Sequence, residues 1–235
     1  MSLVNETSLS ATLDAVNEAL FFGRPLSQAD RVEAAEWIAQ RQAQHNGYRD
    51  ALPAPLEADL GGRARLFTGE ALKSWAGTAH ILGEEACRAL IRLDAPSPNV
   101  QAALSDATQA MQGVLGQMVA EGWFDKRPGV FCCARCSVSI WRHMAAGGLA
   151  GADPVRWLEG GLRTLAVQRT EDGRWHGFPF YYTLLALTEI DLPGAREELR
   201  YVAPVCERLL RRAAGADVYV TRRRAVMERA LACCA

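Results

Sequence analysis

No apolar run in this chain approaches the ~18 residues that a membrane-spanning helix needs. The most apolar stretch, 178–187, is short and carries Pro179. A helical membrane protein is therefore not expected. No basic residue precedes Arg24, and Glu6, Asp14 and Glu18 come before it. The start thus lacks the charged and apolar regions of a secretory leader, and the expected compartment is the cytoplasm. Lysine is nearly absent: Lys73 and Lys126 leave 26 − 2 = 24 arginines, the codon usage of a GC-rich genome. With 26 basic and 27 acidic residues the net charge is −1, so no global field gathers nucleic acid or anionic lipid. The seven cysteines, at 87, 132, 133, 136, 206, 233 and 234, are odd in number and unevenly spaced. That excludes a secreted disulfide framework and leaves reduced thiols.

What is present is an ordinary globular mixture, 49% hydrophobic and 23% charged over 235 residues, enough for one domain with a sizeable core. Its dominant period is 3.6, with no sustained alternation of period 2, and this predicts an all-α fold. Ser27 with Asp30 reads as a capping box for a helix reaching Gln44. Pro98 opens a second amphipathic helix, with Val100, Leu104, Ala107, Met111, Val114 and Met118 on one face, and Asp153-Pro154 opens a third. Helices are also expected over 9–21 and within 195–233, the last capped by Thr221. Between the amphipathic helices lie three segments that are apolar or small on all sides, 74–93, 133–149 and 178–190, which predicts burial. Charge is uneven: residues 1–61 carry nine acids and four arginines, whereas 196–235 carry nine arginines and five acids. The two ends are expected to meet, within one chain or between copies in a homo-oligomer.

The turns before the buried segments are similar to one another. Gln168 and Gly173-Arg174-Trp175 precede the third, Gln117 and Gly122-Trp123 the second, and Gln42, Gln44 and Gly47-Tyr48 the first. This pattern defines approximate repeats over 28–93, 99–149 and 154–190. The segment from Gln168 to Trp175, followed by Phe180-Tyr181-Tyr182-Thr183, resembles the glutamine-tryptophan repeat of squalene and oxidosqualene cyclases and protein prenyltransferase β subunits. The resemblance implies an α/α toroid, a ring of helical hairpins whose inner helices line a central cavity. About nine helices would make a small or open ring. It also implies a hydrophobic, isoprenoid-like ligand, handled by an enzyme or a binder. A toroid scaffold without chemistry is the competing expectation.

The chemistry of those families is only partly represented. The Asp-x-Asp-Asp cluster that protonates an alkene or epoxide is absent, so squalene cyclisation is not expected. No two aspartates are adjacent, which argues against a diphosphate-holding Mg²⁺ site. Cys136 resembles the position of the prenyltransferase zinc cysteine, but no aspartate stands two residues before it, and Tyr182 occupies the place expected for the zinc histidine. A different zinc site remains open, because Cys132, Cys133 and Cys136 form a Cys-Cys-x-x-Cys cluster at a helix start, with His143 further along that helix. Packing of buried thiols is the competing reading. Glu84 and Glu85 are expected to pair with Arg88 along their own helix. Expected at the ligand are Trp75, His80, Cys133, Cys136, Trp141, Tyr181 and Tyr182, with His80, Cys133, Cys136 and Tyr182 sharing one pocket at the N-terminal ends of the inner helices.

Overall fold

The computed structural model describes residues 2–42, 47–212, 215 and 217–234. They form ten α-helices: α1 (Leu9–Phe21), α2 (Gln28–Ala39), α3 (Trp75–Leu93), α4 (Pro98–Ala120), α5 (Trp123–Lys126), α6 (Ala134–Ala145), α7 (Pro154–Val167), α8 (Phe180–Leu187), α9 (Pro193–Arg212) and α10 (Val218–Ala232). Among the described residues there is no strand, only two isolated bridges, one joining Arg169 to Trp175. The helix starts follow local chemistry. Ser27 and Asp30 complete the capping box of α2, and Asp153 accepts from the Arg156 N–H with Pro154 in the first turn of α7. Asp217, not Thr221, caps α10, accepting from the N–H groups of Tyr219 and Val220. Helix α2 stops at Ala39, which places Gln42 in the following turn; Gln44 lies outside the described residues.

The expected contrast between helices is present. Fourteen of 19 residues of α3, nine of 12 of α6 and seven of eight of α8 are buried, against five of 23 in α4. Helix α3 packs on α1 and α6, α6 on α8, and α8 on α10, while α2, α4, α7 and α9 pack against this set. Arginine 222 connects α10 to α1, with Nη1 and Nη2 at 2.7 and 2.8 Å from the Asp14 carboxylate and Nε at 2.6 Å from Glu18. One arginine of the arginine-rich end thus pairs with two acids of the acid-rich start inside one chain. Close packing fixes α7 on α6: Gly129 (φ +67°) sits so near α7 that a Cβ there would lie 1.9 Å from the Gly161 nitrogen.

The long connection from α2 to α3 is held by carboxylates that cap helices. Buried Asp59 accepts from the Ser8 hydroxyl at 2.6 Å and from the Leu9 and Ser10 N–H groups at 2.9 and 3.1 Å, at the start of α1. Glu70 accepts from the Tyr182 N–H at 3.1 Å, at the start of α8. The contacts from Leu9, Ser10 and Tyr182 each satisfy a helix N–H that has no partner in its own helix, for about 1 kcal/mol. Tyr48 stacks on His80 near the start of α3. This connection thus lies over the N-terminal ends of α1, α3 and α8.

Candidate metal centre and central ion network

The expected cysteine cluster assembles with a histidine from another helix. Cys133 is the N-cap residue of α6, Cys132 precedes it, and Cys136 points inward from the first turn with 2% exposure. The Ser137 hydroxyl accepts from the Phe131 N–H at 2.9 Å and donates to the Cys133 carbonyl at 2.7 Å, which fixes the approach to the helix. From α3, His80 completes the group: its ring and the sulfurs of Cys132 and Cys136 bring one ligand atom each within 4.8 Å of one another. The imidazole is held between Tyr48, 4.2 Å away and stacked, and Phe131 at 4.8 Å.

Burial makes the state of His80 informative. Its Nε2 faces Glu84 Oε1 at 3.4 Å without hydrogen-bond alignment, and both ring nitrogens lack a hydrogen-bond partner. A buried donor or acceptor left unpaired costs about 1–3 kcal/mol, so an orphaned imidazole beside two thiols fits a metal ligand. Glu84 stands behind it, with Oε2 2.6 Å from His143 Nδ1. Burial raises the Glu84 pKa, but the hydrogen bond from His143 and the closeness of both imidazoles overcome that and hold it at about 2. A carboxylate that orients a ligating histidine is the usual outer partner of such a site. Among the thiols, Cys133 is lowered, first by hydrogen bonds from Cys132 and Cys136 and then by N–H groups of α6, while Cys136 is pushed up. Cys132 is pushed up as well, first by its hydrogen bond with Cys133, so the helix N-terminus favours negative charge at Cys133.

Cys132 and Cys133 are exposed and line a groove of about 650 Å³, together with Arg127, Val130, Arg163 and Phe178. The other expected ligand residues are elsewhere. His143 is engaged by Glu84, not by the cysteines, because it lies two turns further along α6. Tyr182 is fully buried and its hydroxyl donates to Glu85 at 2.5 Å. Trp141 is a packing residue, its Nε1 donating to the Gly129 carbonyl at 2.8 Å and its ring stacked on Phe178. Trp75 is 53% exposed, and Tyr181 lies under the Arg223 guanidinium.

Sequence reasoning missed the polar network between the helices. Arg142 donates to Glu85 at 2.5 Å and to both oxygens of Glu189 at 2.8 and 3.0 Å. Arg88 donates to Glu189 at 2.6 Å and to Asn17 Oδ1 at 2.8 Å. Glu85 and Arg88 therefore pair across helices and not with each other. The available signal was charge on segments otherwise apolar all round, since buried ions require partners.

The repeat residues also divide. Gln42 donates its amide to the carbonyls of Ala51 and Ala103 at 2.9 and 2.8 Å, tying the turn after α2 to α4. Gln168 contributes backbone bonds, with its carbonyl accepting from the His176 N–H, and Gln117 bonds only Glu121 at the surface. Gly122 (φ +72°) and Gly173 (φ +79°) both take the left-handed conformation. Trp175 is buried and donates to Glu198 at 2.7 Å, whereas Trp123 is 50% exposed.

Comparison with protein-family models, with curated proteins and with solved structures finds no match to this chain.

Proposed function

We propose that this chain is a short α/α toroid of the prenyltransferase and cyclase kind, with α1, α3, α6, α8 and α10 inside and α2, α4, α7 and α9 outside. In this reading it handles its ligand at a zinc-centred rim. The observation that carries it is the convergence of His80, Cys132 and Cys136, with the buried imidazole unpartnered. Two sulfurs and one imidazole nitrogen are a donor set suited to Zn²⁺, and three protein ligands leave a fourth position for water or substrate. When bound there, Zn²⁺ supplies a stabilised thiolate or an activated water. Glu84 faces His80 Nε2 at 3.4 Å, Tyr48 and Phe131 cover its ring, and the N-terminus of α6 favours an anionic sulfur.

The isoprenoid-like ligand belongs in the groove beside the cysteines. The space among the inner helices is filled by the network of Glu85, Arg88, Arg142 and Glu189, which gives an apolar chain no favourable contact. The groove offers Val130, Val167 and Phe178 for an apolar chain, with Lys126, Arg127 and Arg163 for an anionic head. Native mass spectrometry of the wild type and of Cys132→Ser/Cys136→Ser, with titration of a fluorescent prenyl diphosphate, tests this. The expected result is one zinc per wild-type chain, none in the variant, and weaker probe binding. A wild type with neither zinc nor probe affinity would favour the toroid scaffold without chemistry.

A further inference from the structure

The geometry points to a second site, an oxyanion pocket between the C-terminal ends of α1, α3, α6, α8 and α10, that takes a small multivalent carboxylate or phosphate. A hollow of about 290 Å³ lies there, lined by Asn17, Arg88, Arg92, Arg142, Glu189 and Arg229 among others. Four arginines thus face a single glutamate. The excess is real once the pairs are assigned. Arg88 and Arg142 are balanced by Glu189 and by Glu85 behind it, which leaves Arg92 and Arg229. Among the described residues neither of these two pairs with a carboxylate.

Arg229 is held in place for the task. Its Nη2 donates to the Phe21 carbonyl at 2.5 Å and its guanidinium lies 3.7 Å above the Phe21 ring; among the described residues its other N–H groups make no hydrogen bond. Burial holds the Arg229 pKa below its ordinary value, Glu189 and Cys233 oppose that, and Arg92 adds to it least. The carbonyl ends of the surrounding helices oppose an anion, each by roughly 0.3–1 kcal/mol. Arg229 already occupies the Phe21 carbonyl, and Arg31 donates to the Leu93 carbonyl at 3.1 Å, so two of those ends are partly neutralised. Two whole positive charges at the hollow, Arg229 partly buried and Arg92 exposed at its edge, outweigh the remaining fractional ones.

Size and polarity select the ligand class. The volume sits at the lower limit of small-molecule sites, and guanidinium forks match carboxylate and phosphate oxygens. The site is separate from the cysteine groove: His80 and Arg92 are twelve residues apart on α3, ~18 Å along the axis.

Isothermal titration of the full chain with citrate and with inorganic phosphate at low ionic strength tests the assignment. The expected result is saturable 1:1 binding of at least one probe, weakened about tenfold or more in Arg92→Gln/Arg229→Gln and by added salt. Arg92 is exposed, so Arg92→Gln alone folds and should weaken binding several-fold even where the double variant does not fold. Cys132→Ser should bind both anions as the wild type does, which separates this site from the zinc reading. No saturable heat from either anion, or equal affinity in a folded Arg92→Gln variant, would overturn the assignment.

Discussion

Replacing Arg142 with Met tests the polar network at the centre of the molecule most directly. Arg142 is 2% exposed and makes three charge-assisted bonds, to Glu85 at 2.5 Å and to Glu189 at 2.8 and 3.0 Å. With it, two arginines balance two glutamates. Without it, Glu189 keeps Arg88 and Glu85 keeps the Tyr182 hydroxyl, but the buried group carries one uncompensated negative charge. Breaking a buried pair from one side costs about 3–5 kcal/mol, much of it the penalty on the stranded ion. For a chain of this size, 1 kcal/mol moves the Tm by roughly 2–4 °C, so Arg142→Met should melt ~6–20 °C below the wild type. Arg142→Met/Glu85→Gln removes the stranded charge and should regain part of the loss. Urea unfolding followed by circular dichroism measures the wild type, both single variants and the double variant. A loss under about 1 kcal/mol for the single variant, or a double variant worse than the sum of its parts, would refute the charge balance drawn here.

Trp175→Ala should cost about 3 kcal/mol by deleting a buried ring packed near Phe180 and Tyr201, whereas Trp175→Phe loses mainly the 2.7 Å bond to Glu198, about 1–2 kcal/mol. Equal melting temperatures for wild type and Trp175→Ala would exclude a structural role for the turn. Glu84 makes stability depend on pH: its native pKa is about 2 against an ordinary 4.5, so the unfolded chain binds more protons as pH falls. The contribution, up to about 3 kcal/mol, is complete above pH ~5 and is lost as pH falls from there toward 2. Urea midpoints from pH 6 to 3 should fall more steeply for wild type than for Glu84→Gln; parallel curves would remove Glu84 from the account.

Which helices are buried could be read from composition, because α3, α6 and α8 have no wet face and helices of that kind pack inside. Caps were equally legible where one residue does the work locally, as at Ser27 and Asp153. What a 3.6 period does not carry is the identity of the neighbour across a gap. Glu85 with Arg88 looks like a helix-surface pair, yet Arg88 finds Glu189, 101 positions away, and Glu85 finds Arg142 and Tyr182. The same limit explains the histidines. His143 shares a helix with the cysteines and His80 does not, but seven residues along one helix is a rise of ~10 Å, whereas α3 packs directly against α6. Proximity in sequence therefore favoured His143, whereas the fold brings His80 beside Cys132 and Cys136.

The polar residues of the inner helices are ordered along the axis, and that order has a functional consequence. Near the N-terminal ends stand His80 and Cys136, each with Glu84 or a helix N-terminus behind it; one to two turns further come Glu85 and Arg142, bonded to the Tyr182 hydroxyl and to Glu189; beyond them lie Arg92 and Arg229. The middle layer is ionic, nearly dry and hydrogen-bonded on every member, so moving one of its side chains strands a buried charge. It divides the interior into two ends that no apolar ligand can bridge. A ligand that enters this interior therefore meets the cysteine cluster from one end or the arginine hollow from the other. Variants that disturb one end while the middle layer stays intact should leave the other end's binding unchanged, which makes each end separately testable.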